Sequence, residues 1–332
     1  MLFRRFPSLS LALCVAALAW GFPPTATAGE EIAGLCRADT LFVSDNPEAV
    51  RGTRGLFRAE TGGAGCVRLL YHHENANPTS RMAIQVWALD PDDSAVHLRV
   101  TLGAGGPTQD VMAAGHSAAV KFWQAVLANA AVQMDIAPHQ WKPLLETVLQ
   151  PHDVISGLAQ MEITGGRLTL VVLAYLPGAS EGDIAPASFL ARVGTHPFGV
   201  FSAPFIEEHV QAKLDQPRGL QLASGRFLAG RQPSEILKGN YGVVYHLRVN
   251  CVNASGRPVL LSLVFTPRHG PAAGTLVVNG RLVEIPPLPL GARREVGRYW
   301  IPAGTWLFDI WTSPEGSSAY PVRLDFLPGG SA

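Results

Sequence analysis

Apolar and polar residues alternate with a period of two along much of this chain. The run 66–74 alternates in this way, which is typical of a β-strand with one face buried. The runs 81–89 and 96–102 are rich in β-forming residues and are separated by Asp90-Pro91-Asp92-Asp93-Ser94. These turn-forming residues predict a tight connection between two antiparallel strands.

A helical period interrupts this pattern after residue 113. Apolar residues recur with the spacing i, i+3, i+4, i+7, i+8 and i+11 at Ala119, Phe122, Trp123, Val126, Leu127 and Ala130. This stripe predicts an amphipathic helix. A second, shorter helix is predicted over 141–149, with Pro143 in its first turn and Pro151 ending it. Together they form a helical insertion of about 113–150.

A Gly-, Ala-, Ser- and Pro-rich segment at 177–197 has the composition of a linker, and we expect a domain boundary near residue 190. Beyond it the pattern is strand and turn, with Asn279-Gly280 as the strongest hairpin signal, because both residues accept a positive φ. The predicted fold is mainly β: two antiparallel β-sandwich domains, 29–189 with the helical insertion and 190–332.

Charge argues against polyanionic partners. Charged residues make up 16% of the chain, and Lys+Arg and Asp+Glu balance at 26 each, with no dense basic cluster. Nucleic-acid binding requires a basic footprint, so we expect no nucleic-acid partner.

Residues 1–28 have the three parts of a secretory signal peptide. Arg4 and Arg5 give a positive start, 9–20 is apolar, and Ala26-Thr27-Ala28 is a small-residue cleavage site. No later apolar run reaches the ~18 residues that spanning a bilayer requires. We therefore predict a protein that is secreted or located in the cell envelope, with no transmembrane segment after signal removal.

Three cysteines follow the signal: Cys36, Cys66 and Cys251. An odd number in an exported chain allows one disulfide and one free thiol. We prefer the pair Cys36–Cys66, since both lie in the first half of the chain. The alternative is three buried thiols that act as small apolar groups.

Three short motifs occur in order: Tyr71-His72-His73-Glu74-Asn75, then Gly105-Gly106-Pro107 with Asp110 and Gly115, then Gly239-Asn240-Tyr241-Gly242-Val243. They resemble recurrent features of exported bacterial proteins of uncharacterised function. Some of these look like companions of the β-rich domain named after the N-terminal region of copper amine oxidase. The resemblance implies an envelope or secreted protein and supplies no catalytic residue, copper site or cofactor.

One motif resembles a catalytic one. Gly115-His116-Ser117-Ala118-Ala119 approximates the G-x-S-x-G elbow of serine hydrolases, with Ala119 in place of the last Gly and Ser117 as the nucleophile. The competing interpretation, which we favour, is that Ser117 or a neighbour caps the helix that begins there. A secreted serine hydrolase is therefore the second functional hypothesis.

His72, Glu74 and His97 contain the atom types of a transition-metal site, with His72 and Glu74 on one strand face. We favour instead a polar strand face with one hydrogen-bonded histidine at position 73, and expect no metal and no cofactor.

Alternation over 305–311 places Trp306, Phe308 and Ile310 on an inner face and Trp311 beside Asp309 on the other. An exposed aromatic ring next to a hydrogen-bonding group is typical of a saccharide surface. An alternative is that Trp311 is buried under a loop. The sequence thus favours a non-catalytic binding or scaffolding protein whose partner is a cell-wall polysaccharide or another envelope protein.

Overall fold

The computed structural model describes residues 31–232 and 235–329, so the predicted signal peptide at 1–28 lies outside the described residues. Strands dominate the described part, with one α-helix, α1 (Val111–Leu127), and two 3-10 helices, Glu181–Asp183 and Pro186–Leu190. The strands are β1 (Thr40–Ser44), β2 (Ala49–Val50), β3 (Arg54–Glu60), β4 (Gly65–Asn75), β5 (Met82–Leu89), β6 (Val96–Thr108), β7 (Val132–Ile136), β8 (Trp141–Leu149), β9 (Val154–Thr164), β10 (Thr169–Tyr175), β11 (Phe198–Ser202), β12 (Phe205–Lys213), β13 (Arg218–Leu222), β14 (Leu228–Ala229), β15 (Ile236–Leu237), β16 (Val244–Asn253), β17 (Val259–Pro267), β18 (Ala272–Val278), β19 (Arg281–Leu288), β20 (Arg294–Ile301), β21 (Gly304–Thr312) and β22 (Val322–Pro328).

Two sheets form a first sandwich. One has the order β11-β1-β4-β9-β6-β7, with β2 beside β4, and the other has the order β3-β10-β5-β8. Their facing apolar side chains form one buried cluster that includes Phe42, Tyr71, Ile84 and Met161. Most pairings are antiparallel, and β1 runs parallel to β4.

A second sandwich follows, with sheet orders β12-β16-β21-β18-β19 and β13-β22-β17-β20. Only β12 and β16 pair in parallel among these strands. The predicted fold class, mainly β with antiparallel sandwiches and a helix, is confirmed. The Asn279-Gly280 turn joins β18 to β19 with φ of 49° and 77°, as its sequence predicts.

Helix α1 lies between the two sandwiches, in contact with β6 and β9 on one side and β18 and β19 on the other. Its Phe122, Trp123 and Val126 belong to the same apolar cluster as the core of the second sandwich. Gly103 and Gly105 allow this packing, since a Cβ on either would stand 2.2 Å or less from a helix carbonyl oxygen.

The second predicted helix is wrong. Residues Trp141–Leu149 form strand β8, which pairs antiparallel with β5. The helical insertion is therefore limited to α1 and does not extend to residue 150.

The boundary between the two sandwiches also differs from the one expected near residue 190. β11 follows that point in the chain and yet pairs with β1 of the first sandwich. The change from one sandwich to the other falls between β11 and β12.

Cys36 and Cys66 form a disulfide, as preferred from the sequence, and Cys251 is a buried free thiol. Among residues 31–232 and 235–329, no helix has the length and apolar character needed to cross a membrane.

Candidate functional site

A groove of about 850 Å³ lies on the outer face of the sheet β3-β10-β5-β8. Alternation along β5 builds its floor: Met82, Ile84, Val86 and Ala88 point into the core, which turns Trp87 outward. Trp87 lies beside Val171 of β10 in the strand register. Trp141, at the start of edge strand β8, adds a second indole that is 39% exposed.

The segment between β10 and β11 forms one wall of the groove. Its Phe189 ring lies against Gly55 of β3, where an added Cβ would stand 2.3 Å from a ring carbon. Ser188 fixes the same contact, because its Oγ accepts a hydrogen bond from Gly55 N at 2.9 Å. The close approach explains why position 55 is glycine.

Charged side chains around the groove balance in sign. Its lining includes three arginines and three glutamates: Arg58, Arg192, Arg231, Glu60, Glu181 and Glu235. The guanidinium carbon of Arg192 lies 3.0 Å from the centroid of the Phe198 ring, which holds this side chain at the wall. Burial and the charge of Glu181 raise the pKa of Tyr175, so its phenol stays neutral and can donate a hydrogen bond.

The structure brings Trp311 and Asp309 together, with Trp311 Nε1 donating to Asp309 Oδ2 at 3.0 Å. The predicted exposure of Trp311 is wrong, however, since only 3% of the residue is exposed. Its ring stacks on His246 with centroids 3.7 Å apart and contacts Phe205. A ligand therefore cannot stack on Trp311.

Ser117 lies in the seventh position of α1, and the residues 115–119 are helical throughout. The strand-to-turn elbow expected for a nucleophilic serine is absent there. The N-cap is Asp110, whose Oδ1 accepts hydrogen bonds from Met112 N and Ala113 N at 3.0 Å each, so the expected capping role of Ser117 is also wrong.

The residues His72, Glu74 and His97 are not assembled. In the register of β9, His72 pairs with Ser156 and His97 is opposite Thr164, about 26 Å away at 3.3 Å per residue. His97 is exposed and contacts Asp135 instead. The expected interpretation of His73 is confirmed: it is buried and hydrogen-bonds Ser44 Oγ and the Pro47 carbonyl, both at 2.9 Å.

His72 belongs to a different cluster, which sequence reasoning missed. Its Nε2 lies 3.6 Å from Glu48 Oε1. Glu48 Oε2 lies 2.9 Å from His196 Nδ1, and Asp45 Oδ2 lies 3.9 Å from the same nitrogen. One ligand atom from each of Asp45, Glu48 and His196 falls within 4.8 Å of the others, so these residues could hold a metal ion.

Electrostatics differ between the two acids of this cluster. Burial and the nearby charge of Glu48 raise the pKa of Asp45 well above its usual value. The hydrogen bond to His72 outweighs burial and lowers the pKa of Glu48. Because the negative charges of two neighbouring carboxylates repel each other, a cation bound between Asp45 and Glu48 would be stabilised.

Ser317 contacts His72 without forming a catalytic triad. Its Oγ lies 3.0 Å from His72 Nε2 and 3.5 Å from Nδ1, so it is nearer to Nε2. A triad needs the serine on one ring nitrogen and the acid on the other. Glu48 faces the same Nε2, so this geometry does not prepare Ser317 for attack.

Comparison with known proteins gives no family. No protein-family model and no curated protein matches the chain. Among solved structures, the CBM22-1-CBM22-2 tandem domain of Paenibacillus barcinonensis Xyn10C is 11% identical, with 85% of this chain and 99% of that chain covered and a TM-score of 0.18. Lac15 from a marine microbial metagenome is 13% identical, with 89% and 64% covered and a TM-score of 0.16. The CUB1-EGF-CUB2 domain of human MASP-1/3 is 8% identical, with 78% and 99% covered and a TM-score of 0.18. These scores are too low to transfer a ligand, so the function is argued from the chain's own residues.

Proposed function

We propose that this protein is a non-catalytic binding protein whose groove on the sheet β3-β10-β5-β8 takes an uncharged oligosaccharide, such as a segment of wall polysaccharide. The observation that carries the proposal is the pair of indoles, Trp87 and Trp141, on the open face of this sheet. Planar rings offer the apolar surface on which the C–H face of a sugar ring stacks, and they lose little entropy on binding.

The polar groups of the groove favour a neutral ligand over a charged one. Arginine and glutamate side chains can bind neighbouring hydroxyl groups, as donors and acceptors respectively. Their equal numbers give the lining no net charge, so neither a polyanion nor a polycation gains from entering. The volume of about 850 Å³ is in the range of small-ligand sites and accommodates a short glycan.

Substitution of the two indoles tests the proposal. We expect Trp87→Ala and Trp141→Ala each to weaken binding to a neutral wall glycan by about 10-fold or more, since one stacked ring contributes on the order of 1.4 kcal/mol. Affinity electrophoresis and calorimetry with soluble glycans, together with pull-down on insoluble wall material, measure the change.

Trp300→Ala is the matched control, because Trp300 is 63% exposed and lies on β20 of the second sandwich. It should retain full affinity. Equal losses in all three variants, or no binding of the unsubstituted protein to any neutral glycan or wall fraction, would contradict the proposal.

We further propose that the protein functions outside the cytoplasm. The Cys36–Cys66 disulfide supports an oxidising compartment. The signal-peptide pattern of residues 1–28 and the motifs that resemble those of exported bacterial proteins point the same way. An envelope location would bring the groove to wall polysaccharide.

A further inference from the structure

Two segments that are distant in sequence meet at the end of β1. The loop between β1 and β2 supplies Asp45 and Glu48, and the segment before β11 supplies His196. Asn46 fixes their relative position: its Nδ2 donates to the His196 carbonyl at 3.1 Å and its Oδ1 accepts from Val193 N at 2.6 Å. The imidazole is thus placed beside the two carboxylates by backbone contacts that do not use its ring.

The donor atoms have separations suited to one small ion. Tetrahedral Zn²⁺ with bonds near 2.1 Å places its ligand atoms roughly 3.4 Å apart. Here the distances from His196 Nδ1 are 2.9 Å to Glu48 Oε2 and 3.9 Å to Asp45 Oδ2. Side-chain shifts of about 0.5 Å, well within rotamer freedom, bring both distances to about 3.4 Å. The two carboxylate oxygens lie within 4.8 Å of each other.

A second observation separates this cluster from an ordinary ion pair. Asp45 Oδ1 is buried and has no hydrogen-bond partner. The Asp45 side chain is only 15% exposed, so water does not satisfy this atom freely. Leaving a buried carboxylate oxygen unpaired is costly, and a cation bound by both oxygens of Asp45, Oδ1 together with the Oδ2 that faces His196, offsets that cost.

We propose that Asp45, Glu48 and His196 bind a divalent transition-metal ion of the Zn²⁺ type. His72, which is buried, holds Glu48 in position through the oxygen that does not bind the ion. An imidazole nitrogen with two carboxylates selects Zn²⁺-like ions over Mg²⁺ and Ca²⁺, which prefer all-oxygen sites. His196 is 45% exposed, which gives the ion a path of entry and leaves a coordination position open to solvent.

His72 acts on Glu48 as an outer partner. Its Nε2 faces Glu48 Oε1, the oxygen directed away from His196. Ser317 Oγ lies 3.5 Å from the other ring nitrogen of His72 and 3.0 Å from Nε2, which limits rotation of the ring. Such outer contacts orient a metal-binding carboxylate.

Calorimetric titration of the metal-free protein with Zn²⁺ tests this site. We expect one ion per chain. His196→Ala and Glu48→Gln should each weaken binding by more than about 100-fold, and His72→Gln by about 10- to 100-fold. A Co²⁺-loaded sample should show visible absorption bands that shift in His72→Gln and vanish in His196→Ala. Mg²⁺ in millimolar excess should not displace Zn²⁺.

His139→Ala is the control, since His139 forms an exposed contact with the single carboxylate of Asp93 at 3.0 Å. It should leave Zn²⁺ binding unchanged. His196 is exposed, so its alanine variant should fold, and circular dichroism checks this. Undiminished Zn²⁺ binding by folded His196→Ala, or an equal loss in His139→Ala, would overturn the proposal. Glycan binding by the groove is independent of either result.

Discussion

Trp311 shows how a single residue changes role once both faces of its strand are covered. The alternation along β21 places Phe308 and Ile310 inward, as predicted, and both are fully buried. The opposite face is buried too at this position, because Phe205 and His246, on neighbouring strands of the same sheet, pack against Trp311. A period-two pattern identifies the two faces of a strand but not what packs against each.

Trp311→Ala should therefore lower the free energy of unfolding by about 3–5 kcal/mol, because it opens a cavity and removes the His246 stack. Urea denaturation measures the change. Trp300→Ala, at an exposed site, should stay within about 0.5 kcal/mol of the unsubstituted protein. A small effect at Trp311 would show that this ring is not part of the core.

Strand β8 shows why local sequence misled at the scale of an element. Trp141, Leu144, Leu145 and Val148 have helical spacing, but the segment pairs with β5. Pro143 is compatible with this because β8 is an edge strand, and the pairing shifts register beside it, between Val86 and Trp87. Strand pairing in the folded protein outweighed the local helical period. Because the segment was assigned to a helix, the sequence did not identify Trp141 as a groove residue.

The groove and the acid-histidine cluster share a further reason for being missed. Trp87 could have been identified from the alternation along β5, which the sequence shows plainly. Phe189 against Gly55, and Asp45 and Glu48 beside His196, are contacts between segments more than a hundred positions apart in the chain. No local pattern encodes them.

Gly55→Ala should loosen the groove wall. The new methyl group would overlap the Phe189 ring, at a cost of about 1–3 kcal/mol if the wall cannot move. The 3-10 helix Pro186–Leu190 lies on the surface, so we expect it to lift away and trypsin to cleave faster after Arg192. Gly52→Ala is the control, because no atom lies within 4 Å of its added Cβ. Equal cleavage rates in the two variants would argue against a wall held by this contact.

At the scale of the whole molecule, a buried carboxylate joins α1 to the second sandwich. Glu315 Oε2 lies 2.9 Å from His116 Nδ1, and its Oε1 accepts a hydrogen bond from Thr275 Oγ1 at 2.6 Å. Although burial opposes it, the hydrogen bond and charge of Glu315 raise the pKa of His116. The helix and the loop before β22 are therefore linked by a contact that depends on protonation.

This link predicts a pH dependence with a definite sign. A raised pKa in the folded state means that protonated His116 stabilises the fold fully below about pH 6.5, its value in the unfolded chain. That contribution is lost as the pH rises through the folded pKa. The free energy of unfolding of the unsubstituted protein should therefore exceed that of the His116→Gln variant by a larger amount at pH 6 than at pH 9. Urea denaturation at both values measures this difference, and a constant difference would refute the link. His139→Gln is the control, because His139 forms an exposed ion pair with Asp93 and such pairs contribute little to stability.

The pairing of β11 with β1 also determines when the sheet that contains β1 can be completed during synthesis. Thr40 of β1 pairs with Ser202 of β11, so β1 has no neighbouring strand on that side until β11 has been synthesised. A ribosome or an export channel releases the N-terminus first, so a nascent chain that has not yet delivered residues 198–202 presents the bare backbone of β1. Open edges of this kind recruit other extended chains. The interval before β11 is released is thus a stage at which association with other extended chains is favoured.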